Sequence, residues 1–154
     1  MLRIIASAVV GYIVIFVCIF ALFSGLYLAL GAEGAFQPGS YQVSMLWIVI
    51  STVLSFAAAV AGGWVSRAVA RSQSGPRALA VLVLALGLIM AASIAVSPPP
   101  PAVRDAALSN MEAMGKAQTP LWMAVLNPFL GAAGVLLGGR LKKETPAAIP
   151  SDGV

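Results

Sequence analysis

The sequence contains no histidine, a single cysteine and few charged residues, and each shortage excludes a kind of chemistry. Without histidine the chain lacks the most common general base, metal ligand and haem ligand. One cysteine, Cys18, can form neither an internal disulfide nor a cysteine metal cluster. Charged residues make up only 9% of the chain, against about 25% in soluble domains. We therefore predict that the chain is not an enzyme and has no catalytic, cofactor-binding or metal-binding residue.

Hydrophobic residues, at 60% of the chain, are concentrated in four long runs. About 20 apolar residues in a helix cross the hydrocarbon core of a bilayer. Backbone amides find no water there, so spanning elements are helices or closed barrels, and these runs lack the alternation of barrel strands. The sequence predicts an all-α integral membrane protein with one transmembrane domain over 1–141, spans at about 4–30, 45–69, 78–96 and 120–140, and a flexible tail over 142–154.

The first apolar run has a competing interpretation as a signal peptide. It follows Met1-Leu2-Arg3 and precedes the small residues of GAEGA, which offer a possible cleavage site. A signal-peptide core has about 7 to 15 apolar residues. This run is much longer, so we expect it to be retained as the first span.

Basic residues are distributed unevenly between the two sides that the four spans define. Seven lie on the side of the termini, at Arg3, Arg67, Arg71, Arg77, Arg140, Lys142 and Lys143. Only Arg104 and Lys116 lie on the opposite side, where acidic residues accompany them. Because cytoplasmic loops carry the excess of Lys and Arg, we predict that both termini are cytoplasmic. The net charge of +4 then reflects topology and not a nucleic-acid partner.

The first outer loop has two aromatic residues beside a turn signal. Phe36 and Tyr41 flank Pro38-Gly39, a pair that suits the centre of a type II turn. The pattern favours aromatic anchors at the headgroup level of the membrane. The alternative is a loop that faces a partner.

The second outer loop combines a proline run with a short helical pattern. Four prolines at 98–101 predict a stiff extended segment. Ser109 and Glu112 then form a capping-box pattern, and Met111 and Met114 lie on one helical stripe. We predict a short outer interfacial helix, with a docking surface for a partner as the alternative.

Small residues recur at helical spacing in the second and fourth spans. The candidate helix-packing residues are Ala58, Gly62, Ser66, Gly131, Gly134 and Gly138. Such faces let helix backbones approach closely in lipid, where no hydrophobic force drives association. Packing within this chain and packing against another subunit are both open.

An Asn-Pro pair interrupts the fourth span. Pro128 lacks an amide hydrogen and frees the carbonyl of Ala124, so a kink is expected. Asn127 lies roughly 10 Å below the outer start of the span. We favour a structural role, in which its amide bonds a freed carbonyl or a residue on another span, and contact with a ligand is the alternative. The candidate partners on other spans are Ser51, Ser55 and Tyr27.

Four segments have a recognisable pattern: GYIVIFVCIFALFSGLYLALG, FQPGSY, GGWVSR, and the stretch from SNMEAM to NPFLGAAGVLLGGRL. Together they resemble a group of small uncharacterised four-span bacterial inner-membrane proteins, over nearly the whole chain up to Leu141. The resemblance implies a multi-pass inner-membrane protein and brings no activity or catalytic residue with it.

These observations lead to one functional prediction and one alternative. We predict a non-catalytic accessory or structural subunit that packs against a larger inner-membrane complex. Its partners are then the lipid bilayer and other membrane-protein subunits or further copies of itself, and no cofactor is expected. The alternative is a small homo-oligomeric pore or carrier for a neutral solute.

Overall fold

A computed structural model describes residues 1–97 and 109–141, without the side chains of residues 110, 113 and 114. The predicted proline segment 98–101, the tail 142–154 and the side chain of Met114 lie outside the described residues. The described elements are α1 (Leu2–Ala35), α2 (Met45–Ala70), α3 (Ser74–Val96), α4 (Asn110–Lys116) and α5 (Leu121–Leu141). All but α4 are long and apolar enough to span a membrane, which confirms an all-helical multi-pass protein.

The first span ends close to its predicted limit, at a glycine. Gly31 has φ 64 and ψ −180 and interrupts the regular helix, a conformation that glycine adopts without a Cβ penalty. One more helical turn follows before the loop. There Gly39 has φ 68, and the Ser40 amide donates to the Gln37 carbonyl at 3.1 Å. These features confirm the turn predicted at Pro38-Gly39.

Three helix starts depend on polar or proline residues. Ser44 caps α2, because its hydroxyl accepts from the Trp47 amide at 3.1 Å. The helix α3 starts at Ser74, earlier than the predicted span at 78–96, because Pro76 is tolerated in a first turn. The capping box of α4 is confirmed: the Ser109 hydroxyl accepts from the Glu112 amide at 3.3 Å, and the Glu112 carboxylate accepts from the Ser109 amide at 3.1 Å.

The four spanning helices form a ring in the order α1, α2, α5, α3, with α1 and α5 facing each other across it. At one end, Arg3 Nε donates to the Val69 carbonyl at 3.0 Å, and Gln73 Nε2 donates to the Gly139 carbonyl at 3.2 Å. We call this the basic end, since it carries Arg3, Arg67, Arg71, Arg77 and Arg140. The opposite end, with residues 36–44 and α4, is the loop end.

Candidate functional site

Glycine contacts close the half of the ring nearest the basic end. A Cβ at Gly62 would lie 2.3 Å from Ile15 Cγ1 on α1, and one at Gly138 would lie 1.9 Å from the Val60 carbonyl oxygen on α2. At such distances the helix backbones touch, as small residues permit in lipid. All the predicted helix-packing residues except the half-buried Gly131 are buried inside this chain: Ala58, Gly62, Ser66, Gly134 and Gly138. Gly131 faces Val83 on α3.

Two other close contacts between helices of the ring, at Gly63 and Gly11, were not predicted from the sequence. A Cβ at Gly63 would lie 2.0 Å from the Val135 carbonyl oxygen, and one at Gly11 would lie 2.6 Å from Leu79 Cδ2. Gly11 joins α1 to α3, and Gly63 joins α2 to α5. The sequence signal for Gly63 is its place in the glycine pair 62–63, of which only Gly62 is among the predicted helix-packing residues.

A cavity of about 350 Å³ lies inside the ring, in the half nearest the loop end. All four spanning helices line it, mainly with aliphatic and aromatic side chains. Its polar lining consists of Tyr12, Thr52, Ser55, Thr119 and Asn127. Toward the basic end it stops near Tyr12 and Ala59, where the glycine contacts close the ring. The cavity is therefore blind at that end.

The cavity opens sideways between α1 and α3. Phe16 on α1 and Met90 and Ile94 on α3 line it and are 63%, 66% and 43% exposed. The close contact of these two helices, at Gly11 and Leu79, lies nearer the basic end. In a membrane this gap faces hydrocarbon, because both helices are spanning helices.

The two residues of the Asn-Pro pair have different surroundings, because Pro128 packs against α3 and Asn127 lines the cavity. The ring of Pro128 is buried against α3, where a Cβ at Gly87 would lie 2.5 Å from Pro128 Cγ. Asn127 is exposed and lines the cavity, and its amide has no hydrogen-bond partner among the described residues. The hydrogen bond predicted for Asn127 is therefore not formed among the described residues. One candidate partner, Ser51, donates instead to Ile48 of its own helix at 3.3 Å.

The aromatic residues of the first outer loop are buried within this chain. Phe36 and Tyr41 are only 3% and 2% exposed, and their rings meet edge to face at a centroid distance of 6.4 Å. A backbone link explains the burial, because the Gln118 amide donates to the Tyr41 carbonyl at 2.9 Å and holds the loop down. Met111 on α4, by contrast, is 69% exposed.

A smaller cavity of about 180 Å³ adjoins the first one at the loop end. Phe23 and Thr119 line both cavities. Trp47 lines the smaller one, and its ring meets that of Phe23 edge to face at 5.7 Å between centroids. The Phe23 ring, which lines the larger cavity, is therefore in direct contact with Trp47.

Comparisons with known protein families, with curated proteins and with solved structures gave no match. The resemblance to small four-span inner-membrane proteins stays a prediction. Within residues 1–97 and 109–141, no three His, Cys, Asp or Glu residues are placed to hold a metal ion. The arrangement that remains is an apolar cavity with a few polar groups, which is the composition of a binding site for a small molecule.

Proposed function

We propose that the protein is a non-catalytic accessory subunit of a larger complex in a bacterial inner membrane, with both termini in the cytoplasm. The four spanning helices support the membrane setting. The arginines gathered at the basic end support the orientation, because cytoplasmic ends of spans carry the excess of basic residues. The loop end, with α4, then faces the other side of the membrane.

One observation supports the accessory role most directly: α4 has an exposed apolar side chain and is itself held in place by contacts at its two ends. Met111 is 69% exposed, and the capping box fixes the first turn of the helix that carries it. At the other end of α4, Lys116 Nζ lies 5.6 Å from the centroid of the Tyr41 ring. Methionine adapts to irregular surfaces and is favoured at protein contacts. We propose that α4 lies at the membrane interface and that a partner subunit covers Met111.

Purification in native membrane patches tests this role. A tag after Val154 should recover an unrelated membrane protein in fixed stoichiometry. Met111→Glu should reduce its recovery, since a carboxylate would be desolvated at the contact. Met45→Glu is the matched control, because Met45 is 67% exposed at the same end on α2. Recovery of a discrete homo-oligomer alone, or equal effects of the two substitutions, would contradict the proposal.

The alternative of a homo-oligomeric carrier for a neutral solute is favoured by the polar lining of the cavity. Thr52, Ser55 and Asn127 offer uncharged hydrogen-bonding groups to a solute. The blind end near Tyr12 requires a conformational change before any solute could pass. Uptake of radiolabelled glycerol into proteoliposomes, abolished by Ala91→Leu in the cavity wall, would support this alternative over the accessory role.

A further inference from the structure

The lateral mouth of the larger cavity determines which molecules reach it. Its rim residues, Phe16, Met90 and Ile94, are exposed on two spanning helices. The gap between those helices faces the hydrocarbon core, so molecules dissolved in the bilayer meet it at high local concentration. The glycine contacts exclude access from the basic end. A ligand that enters through this mouth is therefore lipid-soluble.

The size of the cavity suits a small molecule. A volume of about 350 Å³ falls at the lower end of the range of roughly 300–1,000 Å³ for small-molecule sites. A hydrocarbon chain or a single ring fits a cavity of this size.

The amide of Asn127 adds a chemical requirement. It lines the cavity without a partner among the described residues, roughly 9 Å along the axis from the start of α5 at Leu121. At that depth a polar group needs a hydrogen-bonding partner, because hydrocarbon supplies none. The chain of an ordinary phospholipid has no such group there, since its ester groups lie at headgroup level.

We propose that the cavity binds a lipid-soluble molecule with a hydrocarbon chain or ring and a carbonyl oxygen that accepts a hydrogen bond from Asn127 Nδ2. A protonated fatty acid and a quinone share this chemistry. The molecule enters between α1 and α3, and its apolar part lies against Phe23 and Phe56. This site is independent of the accessory role and needs no partner subunit.

Quenching of Trp47 fluorescence tests the site in the purified full-length chain. Trp64→Phe and Trp122→Phe leave Trp47 as the only tryptophan, next to Phe23 in the cavity wall. In nanodiscs of saturated phosphatidylcholine, dibromostearic acid and decylubiquinone serve as the two probes, and brominated phosphatidylcholine tests for a whole phospholipid. Saturable quenching by at least one probe is expected. The probe that saturates identifies whether the bound carbonyl belongs to a fatty acid or to a quinone.

Three substitutions in that background locate the binding. Asn127→Leu keeps the branched shape of the side chain without the amide and should weaken binding about fivefold, which corresponds to one hydrogen bond of about 1 kcal/mol. Ala91→Leu fills the cavity and should abolish saturable quenching. Ala57→Leu is the matched control on the exposed face of α2, outside the cavity, and should bind as the parent does.

Specific results would overturn the proposal. The first two are quenching of Trp47 that does not saturate with either probe, and saturation by brominated phosphatidylcholine alone. The other two are equal probe binding by Ala91→Leu and Ala57→Leu, and parental probe affinity in Asn127→Leu. Ile94→Phe provides a second obstruction if Ala91→Leu fails to fold. Ile94 is 43% exposed at the mouth, so the larger ring narrows the opening without entering the packed core. Parental binding by Ile94→Phe would likewise contradict entry between α1 and α3.

Discussion

Replacing Gly138 with alanine tests whether α2 and α5 are held at backbone contact. The new Cβ would lie 1.9 Å from the Val60 carbonyl oxygen and 3.0 Å from the Trp64 amide nitrogen. Both are backbone atoms, so no side-chain rotation relieves the clash and the helices must move apart. Overpacking costs about 1–3 kcal/mol, and alanine regains about 1 kcal/mol of helix propensity over glycine. Taking the upper end for a backbone clash, we expect the free energy of unfolding to fall by about 2 kcal/mol.

The assay is reversible unfolding in mixed micelles, followed by circular dichroism, with Gly25→Ala as the matched control. Gly25 lies in α1, and nothing lies within 4 Å of a Cβ built on it. The control should therefore show only the gain in helix propensity, about 1 kcal/mol of added stability at most. If Gly138→Ala and Gly25→Ala change stability equally, the backbone contact between α2 and α5 does not hold the ring together.

Three other outcomes follow from the orientation, the cavity and the loop end. With Cys18→Ser as background, Gln37→Cys should react with a membrane-impermeant maleimide added to intact cells, and labelling only after lysis would reverse the orientation. Asn127→Ala should change the free energy of unfolding by less than about 0.5 kcal/mol, and a larger loss would reveal a structural bond. Tyr41→Ala should reduce the free energy of unfolding by about 3 kcal/mol, because a nearly fully buried ring that packs against Phe36 is lost. An unchanged free energy of unfolding would show that this loop does not stabilise the loop end.

The number and rough limits of the spans could be predicted because hydropathy reports directly which segments avoid water. Which helices contact each other could not be predicted, because the spacing of residues along one helix defines its faces but not the helices that pack against them. Gly62 and Gly63 show the difficulty. Adjacent residues lie about 100° apart around a helix, and here the first faces α1 and the second faces α5.

The candidate site was only partly visible in the sequence. The sequence marks Asn127 as a polar residue at depth, but the surroundings of Asn127 depend on a gap between α1 and α3 that no local pattern marks. Phe36 and Tyr41 have the composition of an exposed aromatic loop. Their burial depends on a backbone link to Gln118, far along the chain, which leaves no periodic signal.

The order of helices in the ring has a consequence for biosynthesis. The fourth described span in chain order, α5, packs against both α2 and α3, and it supplies the close contacts at Val135 and Gly138. While only the first three spans have been made, the face of α2 that carries Gly63 has lipid or translocation machinery as its neighbour. The faces of α2 and α3 that pack against α5 must therefore stay accessible until α5 is inserted, although α2 and α3 also contact each other in the completed ring. Ring closure is thus timed by the synthesis and insertion of α5, because the first three spans alone leave these contacts unmade.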